Sequence, residues 1–250
     1  MPRVAIVSAM HAELAAVLAR LEKAQVSRTA GRDFLLGRWH GQEVVLALSR
    51  IGKVAAATTT TALIERFEVG QVIFTGVAGG LATQAQVGDV VVASAFLQHD
   101  MDASPLFPRY EVPLYERSHF ATDEALTREL MGAVQSALRQ GVLDAQAAAE
   151  LGLRAARLHT GLVVSGDRFV STCQESQNLQ SSLPEALAVE MEGAAVAQVC
   201  SDYGVPFAAM RTISDRADDA AHADFLKFVD RVASRYSAQI LECFFAQRAA

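Results

Sequence analysis

Cysteine is scarce in this chain: Cys173, Cys200 and Cys243 are its only three, and none shares a Cys-x-x-Cys spacing with another. An odd number of distant thiols builds no disulfide framework. Cys200 and Cys243 fall in apolar helical patterns and read as inert buried thiols. The six histidines, His11, His40, His99, His119, His159 and His222, show neither His-x-x-x-His nor His-Glu-x-x-His, so a metal site has no support. Basic residues number 22 against 28 acidic ones, are scattered, and leave a net charge of −6. No basic stripe exists to follow a phosphate backbone, which argues against nucleic acid as a partner. Long apolar runs are missing too. The richest is broken by Thr75, Gly76, Gly79 and Gly80, and Val4 to Ala9 is too short for a signal-peptide core, so neither a membrane span nor a secretory leader is expected. These absences predict a cytosolic protein.

What is present is a chain of 250 residues, 51% hydrophobic, without a linker, composition break or internal repeat, which predicts one domain over residues 1–250. Arg3 to Ala9 reads as a buried strand and is followed by Leu14, Val17, Leu18 and Leu21 at helical spacing. Phe34 to Trp39 and Glu43 to Leu48, joined by His40-Gly41, read as a hairpin that makes the sheet mixed. Lys53 to Phe67 carries Val54, Ala57, Thr61 and Ile64 on one helical face. Strands follow at Gln71 to Thr75, Asp89 to Phe96, Leu158 to Ser165 and Phe207 to Ile213. Helices are expected over Asp123 to Leu153, over Glu192 to Tyr203 before Gly204, and from His222 to about Phe245, with Phe225, Phe228, Val229, Val232, Tyr236 and Ile240 buried. Residues 98–117, rich in aromatics and proline, read as a long ordered loop of the kind that forms lids or binding surfaces.

Three acids stand just beyond strands, where an open α/β sheet binds its ligands: Glu13, Glu192 and Asp215. Taken singly they have ordinary readings. Glu13 suits a helix first turn, and Asp215 suits a turn or cap. Phe169, Phe225 and Met191 would by default be core. Strand alternation points Glu190 away from Met191 and allows it a solvated or structural role. His99 and Asp100 read as loop structure, and the turn Gly76-Val77-Ala78-Gly79-Gly80 does not fit a dinucleotide fingerprint.

Seven ordered blocks change that weighting: Ser8-Ala9-Met10-His11-Ala12-Glu13, Ile51-Gly52-Lys53-Val54, Thr75-Gly76-Val77-Ala78-Gly79-Gly80-Leu81, Val87-Gly88-Asp89, Ser165-Gly166-Asp167-Arg168-Phe169, Val189-Glu190-Met191-Glu192 and Ile213-Ser214-Asp215. In this order they resemble bacterial 5′-methylthioadenosine/S-adenosylhomocysteine nucleosidases, within the nucleoside phosphorylase/hydrolase group. The likeness covers nearly the whole chain and is weakest between residues 118 and 156. It implies an α/β fold of three α/β/α layers around a mixed central sheet, a homodimer, and hydrolysis of an N-glycosidic bond that releases adenine, with no metal or organic cofactor.

By the same resemblance Asp215 protonates adenine, Glu13 activates water and Glu192 holds the ribose hydroxyls, with Met191 packed on the sugar and Arg211 keeping Glu192 ionised. The chemistry calls for such parts: an oxocarbenium-like sugar and a poor leaving group require an acid, a base and a stabilising charge. An aspartate of ordinary pKa, about 3.9, is protonated about one part in a thousand at pH 7, so the site has to favour its neutral form. Phe169 offers a stacking face and Val170 its backbone groups for the base. Ala78 and Gly79 allow close approach, and Ser214 adds a hydroxyl. Met10, Ile51, Phe107 and Phe225 are the candidates around the 5′-thio group.

The chain departs from the family pattern at Val77, where many relatives carry a hydroxyl residue, and this weights the reading toward hydrolysis. Arg50 and Arg211 remain possible anion ligands. The rival readings are a related purine nucleosidase or phosphorylase with another 5′-group, and a non-catalytic nucleoside-binding protein.

Overall fold

Buried on both faces, the strands at the centre of the molecule are near-continuous apolar runs, as parallel strands covered by helices must be. The computed structural model describes residues 2–142, 148, 152–219 and 221–249. Among these, β1 (Val4–Ser8), β2 (Glu22–Thr29), β3 (Arg32–Trp39), β4 (Gln42–Leu48), β5 (Gln71–Phe74), β6 (Val77–Gly80), β7 (Val90–Gln98), β8 (His119–Ala121), β9 (Leu158–Ser165), β10 (Ala186–Glu190) and β11 (Phe207–Asp215) form a mixed sheet. Its order is β2-β3-β4-β1-β5-β11-β6-β10-β9-β7-β8.

Strand β1 lies parallel between β4 and β5, with Val4 opposite both Val44 and Gln71. Its residues alternate between two cores. Val4 and Ile6 pack with Leu14, Val17, Leu130 and Ile240, whereas Ala5 and Val7 pack with Ala56, Leu63 and Val196. Helices α1 (His11–Leu18), α3 (Glu124–Gln140) and the C-terminal helical run therefore cover one face, and α2 (Lys53–Phe67) and α5 (Gly193–Tyr203) cover the other. Three α/β/α layers result. Burying a side chain such as Ile6 contributes about 1.5–3 kcal/mol to this arrangement.

One feature was not legible in the sequence. Strand β11 is long enough to pair parallel with β5 through Phe207–Ala209, parallel with β6 from Thr212, and antiparallel with β7 through Met210–Thr212. The β11-β6-β10-β9-β7 half of the sheet thus closes on itself. This closure carries Asp215 to the last position of β11 rather than into a following turn.

Other differences have simple causes. Strand β2 went unrecognised because Val26 is its one large apolar residue and is itself exposed on the sheet edge. On α2, Val54 of the expected face is 78% exposed, while Ala57 and Ile64 are only half-buried at the edge of the core. Ala56, Thr59, Thr60, Leu63 and Phe67 face inward instead, the threonine hydroxyls satisfied by the Ala55 and Ala56 carbonyls. Helix α3 starts at its Asp123 cap and ends before Gly141, and most of the expected continuation toward Leu153 lies outside the described residues. The last helix runs as α6 (Ala221–Phe228), a π turn (Val229–Ala233) and α7 (Ser234–Ala249). Phe228, Val229, Val232, Tyr236 and Ile240 are buried as expected; Phe225 is only half-buried. Helix α4 (Cys173–Ser182) begins at Cys173, which is exposed, while Cys200 and Cys243 are buried. No helix among the described residues is long and apolar enough to cross a membrane.

Candidate active site

A cavity of about 470 Å³ opens where β1, β5, β10 and β11 end, and Glu13, Glu190, Glu192 and Asp215 all line it. So do Met10, Ile51, Ala78 and Gly79, together with Phe169, Val170, Met191, Ser214 and Phe225. Two of the sequence-derived candidates, Phe107 and Arg211, are absent from the lining.

Glu13 sits in the first turn of α1, but its side chain turns back toward the end of β1. Its Oε2 accepts from Ser8 Oγ at 2.6 Å, Met10 N at 2.9 Å and Ala9 N at 3.1 Å, and its Oε1 accepts from Val77 N at 2.9 Å. Gly76 lies close beside it, and a Cβ there would come within 2.8 Å of Oε1, so a larger residue would displace the carboxylate. Burial raises the pKa of Glu13, against the lowering effects of Ser8, Val77 N, Arg211 and Met10 N.

At the end of β10 two further glutamates divide one cation unequally. Arg211, 1% exposed with its guanidinium 4.0 Å from the centre of the Phe74 ring, pairs with Glu190 Oε2 at 2.9 Å and also donates to the Phe74 and Met210 carbonyls. Glu190 further accepts from Ser165 Oγ and from the Glu192 and Gly193 amides at the start of α5. It is neither solvated nor peripheral. Glu192 receives the Gly52 amide at 2.8 Å, and its pKa is pushed up to about 8 by burial first and the Glu190 charge second. The expectation that Arg211 holds Glu192 ionised is therefore corrected: the arginine's ion pair is with Glu190, and its charge lowers the Glu192 pKa by less than burial and the Glu190 charge raise it. Spacing held the signal for Glu190, since positions i and i+2 of an extended segment share a side.

Asp215 is 2% exposed, with Ser214 Oγ 2.7 Å from Oδ2 and Ala217 N 2.8 Å from Oδ1. Gly79 lies so close that a Cβ would stand 3.0 Å from Asp215 Oδ1. The Phe169 and Phe225 rings, which both line the cavity, meet edge to face at 5.5 Å and form an apolar wall.

The rim is built differently. Lys53 Nζ binds Asp100 Oδ1 at 2.5 Å, Asp100 Oδ2 accepts from Asp167 N at 2.9 Å, and Asp167 Oδ1 accepts from Lys53 N at 2.7 Å. The structural role expected of Asp100 is thus a tie between its loop, the start of α2 and the Asp167 loop. Arg168 and His222 also line the mouth unanticipated. Phe107 is corrected as a wall of its own chain's cavity, because Tyr110 N donates to Met101 O and closes residues 101–110 into a separate loop. Arg50 turns to the Gly31 carbonyl and, like Arg211, leaves the cavity without the anion contact considered for it. Among the described residues, no group of three His, Cys, Asp or Glu is placed to hold a metal ion.

Residues 3–245 match the phosphorylase superfamily. A 5′-methylthioadenosine/S-adenosylhomocysteine nucleosidase of Geobacillus thermodenitrificans is 38% identical over 241 residues, 96% of this chain and 94% of that protein. The crystal structure of the Neisseria meningitidis nucleosidase of the same name, in complex with methylthio-immucillin-A, superimposes with a TM-score of 0.85 at 33% identity, covering 97% of this chain and 99% of that one. Futalosine hydrolase of Helicobacter pylori gives 0.82 at 32%, with 98% of each chain covered.

Proposed function

The chain belongs to the phosphorylase superfamily, in its 5′-methylthioadenosine/S-adenosylhomocysteine nucleosidase branch, and from this premise we propose that its cavity carboxylates divide the hydrolysis of those nucleosides among them. The enzyme cleaves the N-glycosidic bond and releases adenine. The observation that carries the division of labour is the convergence of Glu13, Glu192 and Asp215 on one cavity.

Asp215 gives its proton to the departing purine, which stacks on Phe169 and meets the backbone of Val170. Positioned acid catalysis of this kind contributes about a hundred- to ten-thousandfold in rate. Glu13 takes the proton of the attacking water. Glu192 holds the ribose hydroxyls, and the positive charge that develops on the sugar favours its ionised form, so the group is drawn toward the carboxylate as the bond breaks. Met10, Ile51, Met191 and Phe225 surround the sugar and its 5′-substituent.

Water, rather than phosphate, suits this cavity as the nucleophile. Acidic side chains line its floor, and Arg211, the buried cation beside them, is paired with Glu190 rather than turned toward an anion in the cavity. The chain is read as a single domain acting in the cytoplasm. A homodimer is supported by Ile51, Val54, Leu106 and Leu114, large apolar residues exposed near the mouth or on the 98–117 loop. A second reading, a related nucleosidase with another 5′-group, draws on the similarity to futalosine hydrolase.

The deciding experiment is adenine release from methylthioadenosine and S-adenosylhomocysteine by the purified protein in phosphate-free buffer, with the sugar product identified. Free thioribose is expected. A sugar 1-phosphate formed only when phosphate is added would transfer the protein to the phosphorylases, turnover of other 5′-substituted adenosines alone would favour the second reading, and binding without turnover would leave a nucleoside-binding protein.

A further inference from the structure

Ser8 opens the first of the seven sequence blocks, and its side chain is 0% exposed and makes the shortest of the contacts to Glu13, 2.6 Å to Oε2. The two oxygens of that carboxylate are in different circumstances. Oε2 accepts three donors, from Ser8 Oγ, Ala9 N and Met10 N, whereas Oε1 accepts one, from Val77 N. A carboxylate offers about two acceptor positions per oxygen, so Oε2 is filled by the protein and Oε1 retains a position toward the cavity that Glu13 and Val77 both line.

We propose that Ser8 is a positioning residue for the base, turning the Glu13 carboxylate so that Oε1 is the atom that takes the proton of the attacking water. The inference rests on the hydrolytic reading above. In the step it describes, the water proton passes to Oε1 and the water oxygen bonds to the anomeric carbon. The glycosidic electron pair leaves with the purine, which takes the proton of Asp215.

The charged groups around Glu13 are Arg211 on β11, Glu190 at the end of β10 and Glu192 just beyond it, and Asp215 at the end of β11, with Arg168 and His222 at the mouth. Arg211 favours the ionised base, and burial opposes it. Ser8 is the largest of the influences that keep Glu13 ionised, ahead of the arginine.

The test is the pH profile of kcat/KM for adenine release by the full-length Ser8→Ala enzyme. Loss of the hydroxyl is expected to move the acid limb upward by about 1 pH unit, the scale of one hydrogen bond to a charged group, and to lower kcat several-fold near the limb while KM stays within about twofold. Ser8→Gly lacks the same hydroxyl and is expected to show the same displacement. An unmoved limb in both variants would overturn the proposal, whether Tm fell or not, and so would complete inactivity of a folded variant that still binds substrate. An inactive wild-type enzyme, or an active Glu13→Gln variant, would instead sink the reading on which the proposal rests.

Discussion

The floor and the rim of the cavity are held by opposite means. On the floor, Glu13, Glu190, Arg211 and Asp215 are buried, fixed to strand ends, and bonded to main-chain amides or to one another. At the rim, Ile51, Asp100, Asp167 and Phe169 stand on loops and Lys53 opens α2, all partly or largely exposed and tied mainly by the Lys53–Asp100–Asp167 triangle. The difference separates two tasks. Groups that handle protons need a fixed direction and a dry environment, which only the sheet provides; groups that admit a substrate have to yield to it. Floor substitutions should therefore act on kcat, and rim substitutions on KM.

Asp215→Asn is expected to produce the largest effect, a fall in kcat of about a thousandfold or more with KM little changed, because the amide keeps the shape and loses the transferable proton. Steady-state kinetics with methylthioadenosine checks it. A rise in KM with kcat preserved would make Asp215 a binding residue and erase the distinction between floor and rim.

Phe169→Ala tests the other side. Removing a base-stacking face costs about 1–3 kcal/mol, so KM is expected to rise roughly tenfold or more while kcat changes less. Loss of turnover without loss of affinity would place the rim within the chemistry.

Glu192→Gln sharpens the comparison through stability. The folded-state pKa of Glu192, about 8, lies above the ordinary glutamate value, so the native state binds its proton more tightly than the unfolded chain does. The stability due to that proton is complete below about pH 4.5 and is lost as the pH rises through 8. Glutamine does not titrate. The variant should gain on the wild type across this window, by about 1 kcal/mol or more, or roughly 2–4 °C in Tm, while losing turnover. Parallel Tm curves from pH 5 to pH 8.5 would show that burial exerts no such strain on the floor.

The same division governs what could be read from the chain. Strands β1, β5, β9 and β11 announce themselves as apolar runs, and the acids near them follow in short blocks, so Glu13, Glu192 and Asp215 are legible one by one, whereas alternation gives Glu190 only a solvated or structural role. Their pairing is not. Whether Arg211 turns to Glu190 or Glu192 depends on where β11 passes β10, and that follows from the closure of the sheet by β7, a tertiary contact with no local signature. Strand β2 escaped for a related reason, since an exposed edge strand has no buried face to impose alternation. At the rim, Lys53, Asp100 and Asp167 are separated by 47 and 67 residues in the chain and meet only through folding.

The smallest effect is expected from Asp100→Asn. Burial raises the pKa of Asp100, but the Lys53 ammonium and the Asp167 amide outweigh it and hold the carboxylate ionised at neutral pH. Asparagine keeps an oxygen for one of these donors and gives up the charge. Because the Asp100 side chain is 33% exposed, water and salt screen the pair, and its loss is worth about 1 kcal/mol or less. KM should rise no more than about threefold, with kcat unchanged, and the difference should shrink as salt is added, since a rim held by partly exposed charges weakens with ionic strength. A collapse of kcat here would mean that the Asp167 loop transmits its position to Glu192 through Lys53 and Gly52, whose amides serve Asp167 and Glu192 in turn. Floor and rim would then be one rigid unit.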